Sequence, residues 1–235
     1  MNSYEKFYRE NLYPLQDGVM NIIRRLNTPF FLTGGTALSR HYFNHRYSDD
    51  LDLFVNSNDM FQQLLDRVLH SLSTHESAEC ALEPGSIRRF ESFAQVFVYK
   101  PSLPDVKMKI DFVNDLAGRY GSFEDNDKLG TIDGWQNILS NKLTALFRSE
   151  PKDVADLWII AQNRKFSWRT IVMEAKNKEA GVEPGVLYTI LKSFPVELLN
   201  SIKWTREPDY RQIRADLDRI SEDIFYGREN SLKNS

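Results

Sequence analysis

Residues 30–55 read FFLTGGTALSRHYFNHRYSDDLDLFV, and this stretch decides the fold. Phe30-Phe31-Leu32 is an apolar run of the length expected for a buried strand. Gly34-Gly35 break it, Thr36 to Asn44 has helical character, and Leu51 to Val55 is a second strand. Two glycines let backbone approach a phosphate closely, and the helix that follows offers unpaired N–H groups and a positive dipole end. Thr36 adds a hydroxyl there. In a strand Asp50 and Asp52 point to one face while Leu51 and Leu53 point to the other. Two carboxylates side by side on a rigid strand repel unless a cation lies between them. Mg²⁺, or Mn²⁺, takes oxygen ligands of this kind, completed by waters and substrate phosphates.

A third acid is expected from a neighbouring strand. Lys109-Ile110-Asp111-Phe112 supplies it, with Ile110 and Phe112 facing one way and Lys109 and Asp111 the other. Three acids facing a glycine-rich loop are the parts of a two-metal phosphoryl-transfer site, so Asp50, Asp52 and Asp111 are the candidate metal ligands.

Outward from this core, residues 4–26 carry apolar side chains at helical spacing up to Pro29. Asn58 precedes another helical run, Met60 to Leu72. From Glu79 to Val113 the period shortens to two, with Phe93 to Tyr99 and Val106 to Val113 the clearest strands. After about Gly130 strand signals cease. Trp135 to Arg148, Pro151 to Asn163, Trp168 to Lys178, Pro184 to Ser193, Val196 to Ile202 and Pro208 to Phe225 read as helices. Pro151, Pro184 and Pro208 fall where a first turn tolerates proline. The expected fold is α+β: a small mixed β-sheet core with flanking helices over 1–130, an α-helical domain over 131–226, and a frayed polar tail over 227–235.

Composition narrows the class further. The 235 residues are 41% hydrophobic and 27% charged, with a net charge of −3. That balance suits a globular domain, not a disordered chain or a protein that holds nucleic acid by bulk charge. No apolar run is long enough for a transmembrane helix, and the N-terminus lacks the pattern of a secretory signal. Cys80 is the lone cysteine, so no internal disulfide forms. A cytoplasmic location is expected.

Gly34-Gly35-Thr36, Asp50-Leu51-Asp52 and Asp111 together resemble the active-site signature of the DNA polymerase beta nucleotidyltransferase superfamily. The longer string from Gly34 to Val55 is similar to the AbiEii/AbiGii toxin family of bacterial nucleotidyltransferases. That family's later helical motif is matched by Lys142-Leu143-Thr144-Ala145-Leu146-Phe147-Arg148 and by Lys152-Asp153-Val154-Ala155-Asp156-Leu157. The resemblance spans roughly residues 30–160. It implies nucleotidyl transfer from a nucleoside triphosphate, with a tRNA acceptor end as the target, and a toxin with a separately encoded antitoxin. It further implies that Gly34, Gly35 and Thr36 hold phosphates, that Lys142 contacts them, and that Asp153 and Asp156 belong to the site. Arg46 and Ser48 precede the acid pair as in the family.

Bland readings stand beside several of these. Lys142 continues the apolar stripe of Trp135, Ile138, Leu139, Leu143 and Leu146, where a lysine is costly unless paired or snorkelling. Asp153 sits in a first helical turn, where an acid favours the dipole in any case. Arg46 either contacts phosphate or clamps Asp49, an extra acid with no expected role. His41 and His45 are spaced i, i+4 but read as surface residues. Arg88, Arg89, Lys107, Lys109 and Arg119 read as a solvated basic rim with a weak hint of RNA. The same active site would also serve a small-molecule or protein acceptor, and a non-catalytic nucleotide-binding antitoxin is a further alternative that three intact acids disfavour.

Overall fold

A computed structural model describes residues 3–74 and 80–233 of the chain. They divide into two compact units. The first comprises residues up to Tyr42, Tyr47–Ala117 and Ser122–Asp133; the second comprises Phe43–Arg46, Gly118–Gly121 and the residues from Gly134 onward. The fold is α+β with a mixed sheet, as the patterning predicts.

The sheet of the first unit has the strands β1 (Phe31–Thr33), β2 (Leu51–Asn56), β3 (Ala81–Leu82), β4 (Arg88–Arg89), β5 (Phe93–Lys100), β6 (Leu103–Asp115), β7 (Glu124–Asn126) and β8 (Gly130–Ile132). Their order is β3-β5-β6-β2-β1-β8-β7, with β4 also paired to β5. β2 runs parallel to β6, and β1 parallel to β8; β1 and β2 are antiparallel. Leu51, Leu53, Val55, Ile110 and Phe112 are buried on one face, as the alternation requires. Phe30 packs there against Phe112 and Phe61, with ring centroids 5.2 and 6.2 Å apart.

Three local readings need correcting. The first helix is not uniform: α1 (Ser3–Phe7) widens into a π-helical turn, Tyr8–Leu12, before α2 (Tyr13–Arg25). Pro14 has no N–H to give the Glu10 carbonyl, which accepts instead from Lys100 Nζ at 2.9 Å. The segment after Gly34 likewise starts as α3 (Gly34–Ala37) and widens over Leu38–Phe43. β7 and β8 were not expected, because Glu124-Asp125-Asn126 is polar throughout; β8 is held by pairing of Ile132 with Leu32. The first unit runs to Asp133. The expected strand signal at Glu79 lies outside the described residues. α4 (Phe61–Ser73) starts just after Met60, whose N–H bonds to Asn58 Oδ1 at 2.9 Å.

The second unit holds α5 (Trp135–Ala145), α6 (Pro151–Asn163), α7 (Trp168–Lys178), α8 (Pro184–Ser193) and α9 (Tyr210–Tyr226). Ile138, Leu143, Leu157, Ile160, Trp168, Leu187 and Leu217 form its core. Val196–Ser201 is a 3₁₀ segment instead of an α-helix. α9 begins later than Pro208, because Asp209 caps it: the carboxylate accepts from Arg211 N at 2.9 Å and Gln212 N at 3.4 Å. The tail is not frayed over 227–233. Asn230 is buried and donates to the carbonyls of Ala161 and Arg164 at 2.6 and 2.7 Å, satisfying backbone groups at the end of α6. Asn234 and Ser235 lie outside the described residues. Among the described residues no helix is long and apolar enough to cross a membrane.

Candidate active site

In the first unit the sheet register lines up the acids. Asp52 on β2 is opposite Thr33 on β1 and Asp111 on β6, and Gln95 on β5 is opposite Asp111 on its other side. Asp50 enters β2, and its carbonyl accepts from the Thr36 hydroxyl. That bond ties the start of the post-glycine helix to the acid strand, so the Thr36 hydroxyl proton is used within the protein. Gly34 turns the chain with φ +67°, and a Cβ there would fall 2.4 Å from Asp52 Oδ2. Glycine is therefore required twice over, by the backbone and by the carboxylate beneath it.

Lys109 lies on this face, as the alternation predicts, and is paired there with the acids instead of standing as part of a solvated rim. Its Nζ is 2.7 Å from Asp111 Oδ2 and 3.4 Å from Asp50 Oδ2. Gln95 Nε2 donates to the other Asp111 oxygen at 2.9 Å. Partial burial opposes the lysine's charge, but the hydrogen bond to Asp111 and the field of Asp50, Asp111 and Asp52 outweigh it and raise its pKa. Among the described residues no three His, Cys, Asp or Glu side chains are gathered as metal ligands. The donor set is nevertheless all oxygen, and it already gathers round one positive charge, so its chemistry fits a hard divalent cation.

A second charged cluster lies wholly within the second unit. Asp156, fully buried on α6, accepts from Arg46 Nε at 2.7 Å and Arg46 Nη2 at 2.8 Å. His45 Nε2 is 2.9 Å from the same carboxylate, and Lys142 Nζ is 2.8 Å from it. Lys142 also reaches Asp153 Oδ1 at 2.7 Å, and Arg148 reaches Asp153 Oδ2 at 2.9 Å. Burial would raise the Asp156 pKa, but Arg46 and Lys142, with hydrogen bonds from His45 and Arg46, hold it well below the usual carboxylate value. Lys142 is opposed by burial too, and Asp156 and Asp153 raise its pKa above the ordinary lysine value. Arg46 thus clamps Asp156, and the expected choice between phosphate and Asp49 omitted this partner. Asp49 instead accepts from the hydroxyl of Tyr8, whose ring stacks on Tyr47 at 4.3 Å.

Residues 22–121 match the family model described as nucleotidyl transferase AbiEii toxin, type IV toxin–antitoxin system. Over those residues the chain is similar to a family of nucleotidyltransferases. The matched span carries the glycine turn and all three strand acids. Two solved structures share the fold. JHP933 from Helicobacter pylori is 19% identical with a TM-score of 0.61, covering 91% of this chain and 90% of its own. MenT4, a nucleotidyltransferase toxin from Mycobacterium tuberculosis H37Rv, is 14% identical with a TM-score of 0.59, covering 91% of this chain and 84% of its own. A comparison with curated proteins finds no match.

The other singled-out residues are placed variously. Ser48 is buried, and its carbonyl accepts from Gln16 Nε2 at 3.0 Å. His45 is buried, not a surface residue, because it completes the Asp156 cluster. His41 is 2.8 Å from Glu124. Of the expected basic rim, Arg89 pairs with Asp66 and Lys107 with Glu83 in the first unit, and Arg119 donates to the Gly121 carbonyl in the second. Gln95 is the contributor that no motif reveals, while Arg148, in the quoted helical motif, and Lys109, on the Asp111 face by alternation, carried no expected role. Only the cross-strand register brings Gln95 to Asp111, and a register needs the strand partners to be known.

Proposed function

We propose that this enzyme transfers a nucleoside monophosphate from a nucleoside triphosphate to the 3′ end of a tRNA, with Mg²⁺ or Mn²⁺ as cofactor. As the toxin of a pair it would act in the cytoplasm and be restrained by a separately encoded antitoxin protein. The observation that carries the reading is the alignment of Asp52 with Asp111, beside Asp50 and under Gly34, in a span that matches the AbiEii family model.

Asp50, Asp52 and Asp111 are the residues that would hold the divalent cation. When bound, such a cation neutralises phosphate charge and lowers the pKa of an attacking hydroxyl. Gly34 and Gly35 keep the approach to the acids clear of side chains, so that backbone N–H groups face the β and γ phosphates. Thr36 fixes the loop to the entry of β2 through the Asp50 carbonyl. An acceptor hydroxyl oxygen bonds to the α-phosphorus as the bond to the β-phosphate bridging oxygen breaks, and pyrophosphate leaves.

In the second unit Lys142 and Arg46 give charge of the sign a phosphate needs. With Arg148 they make three cations against the two carboxylates of Asp153 and Asp156, leaving one positive charge in excess. We assign Asp153 and Asp156 to holding Lys142 in place, Arg46 to fixing Asp156, and Lys142 to offsetting charge at the substrate phosphates. Ser48 fixes the segment before the acid pair through its carbonyl bond to Gln16.

The test is incubation with each α-labelled nucleoside triphosphate, Mg²⁺, and a pool of total tRNA and cell lysate. Label is expected on tRNA. Label on a protein or a small molecule would redirect the acceptor, and label on nothing would remove the transfer reading.

A further inference from the structure

We infer that Lys109 is a tethered counter-cation of the acid face: its ammonium occupies the Asp50–Asp111 position in the ion-free protein, and a divalent cation enters by displacing it. The inference rests on the proposed role of these acids as the divalent site.

Both oxygens of Asp111 are engaged, Oδ1 by the neutral amide of Gln95 at 2.9 Å and Oδ2 by the Lys109 ammonium at 2.7 Å. The two partners differ in kind. Gln95 brings no charge and orients the carboxylate without competing for it. Lys109 brings a full positive charge, and at 3.4 Å from Asp50 it neutralises a second of the acids that would hold the ion. An ion there would stand within a few ångströms of the ammonium, where like charges repel strongly. The lysine has somewhere to go, since its side chain is 28% exposed, whereas its counterpart Lys142 is 11% exposed against fully buried acids. β6 fixes only the backbone of residue 109, and the long flexible stem lets the ammonium leave without moving the strand.

Two consequences follow from this geometry. The ion-free face is kept from flying apart by an internal charge, so the acids remain aligned before substrate arrives. Divalent ions alone bind weakly, because each must expel the lysine. A triphosphate arriving with the ion adds negative charge and relieves the repulsion between them, so ion and nucleotide bind together.

The test is Mn²⁺ binding to the full-length protein, read by the resonance signal of free Mn²⁺, with and without a non-hydrolysable triphosphate. Lys109→Met should bind Mn²⁺ alone about tenfold more tightly than wild type or better, the scale of removing one close like charge. Lys109→Arg keeps the charge and should stay close to wild type. Asp52→Asn should weaken binding in every case. Unchanged or weaker Mn²⁺ binding by Lys109→Met, with Asp52-dependent binding by wild type, would overturn the inference and leave the divalent site standing. Wild type that binds no Mn²⁺ even with the triphosphate would overturn both. If Lys109→Met does not fold without ions, its melting temperature with Mn²⁺ should rise more than that of wild type. If Lys109→Met and Lys109→Gln stay unfolded with Mn²⁺ present, Lys109 is a fold anchor and the inference fails.

Discussion

A side-chain carbon at Gly34 would stand 2.4 Å from Oδ2 of Asp52 and 3.3 Å from its Cγ. Gly34 follows β1 and Asp52 lies on β2, so the contact arises from antiparallel pairing that sets Thr33 opposite Asp52. The turn and the acid are thus one object: the strand pairing that places the carboxylate also leaves no room for a side chain at residue 34. The functional reading of the glycine and its packing requirement point the same way.

Gly34→Ala tests this coupling. A non-glycine residue at φ +67° costs on the order of 1–2 kcal/mol, and the methyl must also push Asp52 aside. The expected result is a lower melting temperature and turnover reduced roughly a hundredfold, since displacing a reacting group by about 1 Å has that effect. Gly185 is the control. It lies near the start of α8 with nothing within 4 Å of a Cβ, so Gly185→Ala should be neutral or slightly stabilising. Full activity in Gly34→Ala would sever the turn from the chemistry.

Asp52→Asn separates structure from function at the acid itself. The change keeps shape and removes one of several neighbouring negative charges, which relieves repulsion in the ion-free protein. Transfer should vanish while the melting temperature stays within a few degrees of wild type, the shift that about 1 kcal/mol produces. A variant that melts far lower and still transfers nucleotide would show that Asp52 is a structural residue.

The strand acids were legible because their signal is local. Alternation over Leu51–Val55 and Lys109–Phe112 puts carboxylates on one face and aliphatics on the other, and the burial pattern follows it. Long-range partners were not legible. Asp156 is 110 positions from Arg46, and nothing in either neighbourhood announces the pair. His45 looked like a surface residue for the same reason. β7 escaped because Glu124-Asp125-Asn126 is polar throughout, which leaves no hydrophobic period to read. The π-helical turn at Tyr8–Leu12 escaped because a widened turn keeps helical spacing on either side.

Lys142→Met should be strongly destabilising. The lysine lies between Asp153 and Asp156, both fully buried, and its loss leaves two negative charges with Arg46 and Arg148 as their remaining cations and no water to turn to. Removing one partner of such a cluster typically costs about 3–5 kcal/mol. Arg148→Ala removes a contact to the same Asp153, but that side chain is 64% exposed, so a loss of about 1 kcal/mol or less is expected. Urea unfolding of the two variants checks the contrast. Turnover measured at a temperature where Lys142→Met is still folded then reads its part in transfer, and a normal rate there would restrict Lys142 to the scaffold.

The same cluster predicts a loss of stability on mild acidification. Burial lowers the His45 pKa below its ordinary value, against the pull of Asp156 and with help from Arg46 and Lys142. Its Nε2 faces Asp156, and its Nδ1 is buried without a hydrogen-bond partner, so a proton added there meets no acceptor. With the folded pKa depressed, the unfolded chain takes up the proton first, at about pH 6.5. Stability from the neutral imidazole is therefore present above about pH 6.5 and falls as the pH drops below it. Asp156 adds a second, separate loss. Its folded pKa is also depressed, so its contribution is present above about pH 3.9 and declines as the pH falls from there toward the folded value. Lys142 acts at the other end, its raised pKa holding its contribution until the pH climbs past about 10.5. Between pH 8 and pH 5 the histidine alone of these three changes charge on unfolding. The urea midpoint of wild type should fall across that range, while His45→Gln should begin lower and stay nearly flat. Parallel curves for the two proteins would mean that some other group carries the acid sensitivity.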